Sequence, residues 1–472
     1  MYSPGAQLSA KYCSSCHLPI SPELLDKETW KKRVLPAMAK QLGLEVWQNS
    51  AYYQNERSAI SYADWMTIVA YYDSLAPEHL KPALANKPPL KDWGLFKLKT
   101  PKPNPDQIAT TTLTAIDAAN GTLYTSDSET GNLYKWNSDL KQVSSTPLPS
   151  PAVHINFGVN KQTAITCIGE MKALDVPSGN VLLFNNSDKN LTSIASNLLR
   201  PIQTVSADFN KDGLNDYVTS SFGHNKGGLY LLTQKPDKTF QTVPIREITG
   251  ATQSITGDFN ADGWMDIMTL FANGDEGIWL FTNNKKGGFD TKNILRFPPV
   301  YGSSSFQLAD MNKDGKLDIV YTAGDNSDYS RILKPYHGIY IFTNSGNMNF
   351  EQTYFYPVNG ATKVLATDFD MDGDIDLATI AFFADLKNNP EEGFMYFENN
   401  TSTKNPTMNL TAHAIPVSQY GRWICMDVSD IDGDGDPDIV LGNYSRGFMN
   451  EDNFKPNWGV DMPFVVLENT KK

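Results

Sequence analysis

The sequence predicts a multidomain chain, with a small all-α domain first and an all-β, seven-bladed β-propeller after it. Three observations predict this. One strand pattern recurs seven times, five acidic loops stand in register with it, and a proline-dense stretch separates both from an N-terminal segment with helical periodicity. The chain has 472 residues, which is too many for one ordinary core.

Residues 1–85 read as helical. Trp30, Val34 and Met38 recur at i, i+4, i+8, and Trp65, Ile68, Val69 and Tyr72 repeat that spacing before Pro77. Within this segment stands Cys13-Ser-Ser-Cys16-His17. Two thiols one helical turn apart can add across the vinyl groups of a haem, and the adjacent imidazole then reaches the iron from the same side. A zinc site would need two more ligands nearby, and no Cys or His follows until His79. This pattern predicts one covalent haem c on Cys13 and Cys16, with His17 as proximal ligand and Met38 as distal ligand. Met66 is the rival for that position and His79 a distant third. The segment resembles the class I cytochrome c family over residues 4 to about 82, through Gly5-x-x-Leu8-x-x-x-Tyr12 before the cysteines and Ile68-Val-Ala-Tyr-Tyr72 near the end. The resemblance implies an electron-transfer domain. It departs from the family in the short interval between His17 and Met38.

Residues 86–105 form a linker dense in proline, and Gly94–Lys99 within 93–100 reads as a strand that could close a ring. Residues 106–472 carry the repeats. The recurring strand appears as Asn132–Asn137, Val181–Asn185, Leu229–Leu232, Ile278–Thr282, Ile339–Thr343, Phe394–Glu398 and Phe464–Glu468. Four strands per unit at this period are the signature of a propeller. Innermost strands are expected near Thr111, Ala152, Ile202, Thr252, Ser304, Thr362 and Arg422. The seventh unit ends after its third strand, so the linker strand would complete it and remove an exposed edge.

Between the first and second strands of the last five units lie the acidic loops, each with oxygen-bearing residues at positions 1, 3, 5 and 9. They are Asp208/Asn210/Asp212/Asp216, Asp258/Asn260/Asp262/Asp266, Asp310/Asn312/Asp314/Asp318, Asp368/Asp370/Asp372/Asp376 and Asp430/Asp432/Asp434/Asp438. A hard Ca²⁺ takes six to eight oxygens. Alternate loop positions point inward, the glycine at position 6 permits the turn, and position 7 (Leu214, Trp264, Lys316, Asp374, Asp436) offers a carbonyl. About five Ca²⁺ ions are therefore expected, and they would bring the net charge of −13 to about −3. The first two units, at Ile116–Gly121 and Asn156–Lys161, lack the motif and should bind no metal. The repeats resemble the FG-GAP/VCBS propellers, as in the integrin α-subunit head, which implies an adhesion or ligand-binding platform. The whole resembles exported bacterial proteins that append such repeats to a cytochrome.

A ligand site is expected at the funnel opposite the calcium loops. His154, Arg200, His337, Lys363, Arg422 and Trp423 would ring it, with Asp325–Arg331, Tyr444–Arg446 and Trp458 in long loops above. The acidic balance argues against nucleic acid, and no apolar run reaches membrane-spanning length. No nucleophile–base pair, P-loop or dinucleotide fingerprint appears, so the reading leans away from an enzyme.

The function expected is electron transfer outside the cytoplasm, in the periplasm or at the cell surface, with a redox partner protein or small redox molecule and the propeller as scaffold. The opening Met1 would then stand where an export segment was removed. The alternatives are a surface adhesion or glycan-binding propeller with an accessory haem, and a haem-dependent oxidoreductase with its substrate in the funnel.

Overall fold

The structure is a computed structural model that describes residues 3–48, 51–158, 162–184, 190–326, 332–401, 407–447, 455 and 457–471. Four-stranded antiparallel sheets repeat seven times, and in the first six the sheet order is the sequence order. Their innermost strands are Thr111–Asp117, Ala152–Phe157, Pro201–Ala207, Ala251–Gly257, Ser303–Ala309, Lys363–Thr367 and Trp423–Ser429, each within one residue of its expected start. The seventh sheet takes its outer strand from far upstream. Phe96–Lys99 pairs antiparallel with Phe464–Asn469, Phe96 opposite Asn469 and Lys99 opposite Val466. Joining the two ends of the propeller in one sheet leaves no unpaired edge at the closure.

Apolar second and third strands fill the spaces between blades, for example Val320, Ile339, Leu377 and Met395 between blades 5 and 6. Nearer the axis the blades are joined by hydroxyls. Thr166 donates to Thr204 (2.9 Å), Ser220 pairs with Ser254 (2.9 Å), and Thr112 donates to the Ala152 carbonyl (2.7 Å). A small hydroxyl can satisfy a buried partner where neighbouring backbones are too close for a larger side chain.

The N-terminal segment is helical. Helix α1 (Pro4–Cys13) is capped by Ser3, and α2 (Lys27–Thr29) by Asp26. A π-helical turn, Trp30–Val34, leads into α3 (Leu35–Gln41), and α4 (Tyr62–Leu75) is capped by Ser61. Gly5 lets α1 cross α4, because a Cβ there would lie 2.3 Å from Tyr71 Cβ. The π turn corrects the expected helical face. An extra residue in one turn rotates everything after it. The buried positions therefore pass from Trp30 and Val34 to Leu35 and Ala39, leaving Met38 half-buried at the edge of that core.

This segment rests on the propeller. Tyr336 Oη donates to the Leu24 carbonyl (2.8 Å), and Val300 packs on the helical core. The following stretch lies along blade 6: Leu90 exchanges backbone hydrogen bonds with Ala412 and Ala414, both 2.8 Å, and His413 Nδ1 meets Asp92 at 2.8 Å. No helix among the described residues is long and apolar enough to cross a membrane.

Candidate functional site

The five acidic loops share one geometry. The position-1 carboxylate accepts the backbone N–H of the position-6 glycine, from Asp208 (2.9 Å) through Asp258, Asp310 and Asp368 to Asp430 (3.0 Å). That glycine has φ between 81° and 102° in every loop, a conformation costly for other residues. Position 5 accepts the N–H of position 7, as in Asp212 with Leu214 (2.8 Å), Asp262 with Trp264 (2.9 Å) and Asp314 with Lys316 (2.9 Å).

Position 9 has a second duty that the spacing of the loop residues alone does not show. Asp216, Asp266, Asp318, Asp376 and Asp438 have no exposed surface. One oxygen of each accepts the N–H of position 2, and the other accepts an N–H at the end of the third strand, in Gln234, Asn283, Asn344, Asn399 or Asn469. Burial pushes Asp216 and Asp438 up to about 6 and Asp376 up to about 7. Three of these asparagines then reach the loop of the preceding blade: Asn283 to the Phe209 carbonyl, Asn399 to Met311 and Asn469 to Phe369. The signal was present in the sequence as a repeated Thr/Glu-Asn after the third strand.

Two loops gather three carboxylates. Oxygens of Asp368, Asp370 and Asp376 lie within 4.8 Å of one another, as do those of Asp430, Asp432 and Asp434. In the other three loops position 3 is Asn210, Asn260 or Asn312, which leaves fewer charges. Position 7 of the two rich loops carries a nearly buried carboxylate, and Asp374 Oδ1 and Asp436 Oδ1 have no hydrogen-bond partner among the described residues. Burial, and then the neighbours Asp372 and Asp434, push these two groups up to about 6. A buried unpartnered oxygen beside three carboxylates is a donor set suited to a hard divalent cation. Lysines supply part of the missing positive charge: Lys313 stands 3.5 Å from Asp374, Lys471 3.4 Å from Asp370 and Lys99 3.3 Å from Asp432. Elsewhere Lys285 meets Asp262 and Lys316 meets Asp314.

The cysteine pair lies where α1 ends. Cys13 is half-buried and Cys16 exposed, both as free thiols. Ser9 Oγ donates to Cys13 Sγ at 3.8 Å, and burial holds that thiol above its usual value. His17 Nδ1 stands 2.8 Å from the Leu18 carbonyl. A carbonyl can only accept, so that contact puts the proton on Nδ1 and leaves Nε2 with its lone pair. Met38 and Met66 both border the helical core, whereas His79 is exposed beside Glu28 and Glu78. Trp65, wholly buried in that core, carries an indole N–H without a partner among the described residues. Free thiols, an oriented imidazole, two thioethers and an orphaned donor are thus present in one segment, the residue types by which a haem c would be held.

The residues expected at the funnel separate into two sets. His154 of blade 2 lies within electrostatic reach of Lys363 of blade 6, and burial, then Lys363, holds the His154 imidazole down at about 3. Lys363 Nζ donates to the Met426 carbonyl (2.7 Å), and Asp427 accepts the Ile116 N–H (2.7 Å), so both charges join adjacent blades. The other set is not at a rim. Trp423 is 1% exposed and packs between blades 6 and 7, and His337 is buried. Arg422 is also buried, its guanidinium 3.7 Å from the Phe382 ring and bonded to the Phe382 and Gly447 carbonyls. Burial lowers it to about 9. Arg200 stacks over Phe222 at 4.9 Å. Arg200, Arg422 and Trp423 stand at the starts of inner strands and His337 before a third strand, and the burial of His337, Arg422 and Trp423 corrects the expectation that these three face a ligand. Residues 327–331 of the loop Asp325–Arg331 lie outside the described residues.

Residues 208–269 and 258–321 match the FG-GAP-like repeat. A curated relative, the T-cell immunomodulatory protein homolog of Plasmodium falciparum (isolate 3D7), is 32% identical over 129 residues, which is 25% of this chain and 18% of that protein. The match thus spans less than a fifth of the relative's length. Among solved structures the chain is similar to an ancestral GH74 enzyme, at 12% identity and TM-score 0.49, covering 73% of this chain and 45% of that one. It is also similar to a putative 6-phosphogluconolactonase from Bacteroides uniformis, at 12% identity and TM-score 0.42, covering 63% and 83%. The chain is a β-propeller scaffold with FG-GAP repeats.

Proposed function

We propose that the propeller is a calcium-stabilised binding platform outside the cytoplasm, and that the helical segment carries a covalent haem c which exchanges electrons with a separate redox partner. The observation that carries the redox half is Cys13-Ser-Ser-Cys16-His17 at the end of α1, with His17 Nδ1 engaged by the Leu18 carbonyl. Cys13 and Cys16 would hold the porphyrin as thioethers, and His17 Nε2 would face the iron. Met38 would take the opposite side, with Met66 as rival, and the Trp65 N–H is free to donate to a buried acceptor. Such a group supplies one-electron chemistry. The platform half rests on the repeat match and the seven-bladed ring. Five loops would hold calcium, tightest where Asp374 and Asp436 add a fourth carboxylate.

A second reading keeps the platform alone, as a surface adhesion module. It is favoured by the curated relative, a protein named as a T-cell immunomodulatory protein homolog, of which the match covers 18%. Expression in a host competent for cytochrome c maturation separates the two. Intact mass increased by one haem, abolished by Cys13→Ala with Cys16→Ala, supports the haem reading. Colourless protein with two unmodified thiols would overturn it and leave the adhesive platform.

A further inference from the structure

A cavity of about 500 Å³ lies at the seam where blade 7 meets blade 1, and none of the acidic-loop aspartates lines it. It is assembled from both ends of the ring. One wall is Thr100–Gln107, the chain just after the closing strand, another is Asp461 and Pro463 just before the last strand, and blade 1 supplies the rest. The volume is that of a small-molecule site.

Two fixed aromatic rings line it. Trp136 is half-buried, held by its indole N–H to Thr125 Oγ1 (2.9 Å) and by an edge contact with Phe464 (4.9 Å). Tyr134 stands 6.5 Å from it, its hydroxyl donating to Thr130 Oγ1 (3.0 Å). Rings immobilised in this way offer flat apolar surface without further loss of side-chain freedom.

The polar lining sets two lysines, Lys102 and Lys141, against three aspartates, Asp127, Asp139 and Asp461. Lys102 and the Asp461 carboxylate have no partners among the described residues, while Lys141 stands 3.4 Å from Asp139. Asp127 spends both oxygens within the fold, on the N–H and hydroxyl of Thr110 and the N–H groups of Glu129 and Thr130. A phosphate would find no surplus of positive charge here, and the one surplus carboxylate that an organic cation would meet, Asp127, is already engaged by four hydrogen bonds. A neutral polyhydroxylated ring would find aromatic faces for its C–H groups, with a cation and a carboxylate for its hydroxyls. We propose that this seam cavity binds a neutral saccharide unit. The proposal deepens the platform half of the preceding reading and is independent of haem.

The test is saturation-transfer NMR on the full chain in calcium, with the methyl glycosides of glucose, galactose and mannose, and with glucose 6-phosphate and glucosamine as charged comparisons. At least one neutral glycoside should bind with Kd on the order of 1 mM, and Trp136→Phe should weaken it about tenfold. Lys102→Ala and Asp461→Ala should each weaken it severalfold with unchanged melting temperature, since neither side chain has a partner to lose among the described residues. Absence of transfer from all three neutral glycosides at about 20 mM overturns the proposal. So does stronger binding of a charged sugar, or binding that these variants leave unchanged. Haem content, measured on the same samples, reports the redox reading separately.

Discussion

Replacing Asn399 with alanine isolates the device that joins one loop to the next blade. Asn399 is 2% exposed. Its amide donates to the Met311 carbonyl of blade 5 (3.2 Å) and the Ile375 carbonyl (2.9 Å), and its side-chain oxygen accepts the Thr401 N–H (3.0 Å). Its backbone N–H still reaches Asp376 in the variant, so only the three side-chain bonds are lost. Two of the three lie in fully buried surroundings, where an abandoned donor or acceptor costs about 1–3 kcal/mol, and the third is partly accessible and costs about 1 kcal/mol. The sum is about 3–7 kcal/mol, and even its lower end is large for a single substitution. Asn400→Ala, at an exposed neighbour with long contacts of 3.2 and 3.4 Å, is the comparison and should cost under about 0.5 kcal/mol. Equilibrium urea unfolding, followed by tryptophan fluorescence at constant calcium, measures both. If the two variants unfold at the same urea concentration, the asparagine ladder does not hold the blades together.

Other outcomes follow from single groups. Glu276 is buried and accepts both the N–H and hydroxyl of Ser303, and burial pushes its carboxyl up to about 8. The native state therefore keeps the proton that the unfolded chain releases near its ordinary value. The stability this gives is complete below about pH 4.5 and is lost as pH rises through about 8, at roughly 1.4 kcal/mol per unit. Glu276→Gln cannot ionise, so its melting temperature relative to the parent should climb from pH 5 to pH 9; a constant difference would refute this. Chelation should lower the melting temperature and added calcium restore it, each occupied loop contributing about 2.7 kcal/mol at a hundredfold excess over Kd. No change in melting temperature with chelator would remove calcium from the reading. In haem-loaded protein, Met38→Ala should abolish a low-spin spectrum that Met66→Ala leaves intact, and the reverse would move the distal ligand to Met66.

The blades were legible because each third strand repeats a short apolar pattern and each acidic loop sets the phase of the two strands beside it. Strand starts could be placed within a residue because turn chemistry and burial change together there. Three features were hidden for physical reasons. The π turn at Trp30–Val34 has no residue signature, yet it rotates the following helix by one position and alters what Met38 faces. Arg422 and Trp423 read as rim residues because they start an inner strand and His337 because it ends a long loop, but all three are buried, Trp423 in the core between blades 6 and 7 and Arg422 against Phe382. The seam cavity joins residues over three hundred positions apart, a closeness that only ring closure creates.

The acidic loops show how identical letters acquire different work. Sequence spacing treats the aspartates at positions 1, 3, 5 and 9 as one ligand set. In the folded chain position 9 is saturated by two backbone donors, one from its own loop and one from the third strand, and so it shapes the turn before any ion arrives. Position 1 likewise spends an oxygen on the glycine N–H. One oxygen stays buried without a hydrogen-bond partner at position 7 in the two blades where it is aspartate, Asp374 Oδ1 and Asp436 Oδ1, as it does at position 1 of the first acidic loop, Asp208 Oδ1. A cation would therefore discharge a cluster that hydrogen bonds have already positioned, and the cost of its absence should concentrate at Asp374 and Asp436. Asp374→Asn and Asp436→Asn should accordingly stabilise the calcium-free ring while weakening its response to calcium, whereas Asp376→Asn should destabilise it with calcium or without. Melting curves in chelator and in calcium decide this: if all three variants behave alike, position 9 has no separate structural role.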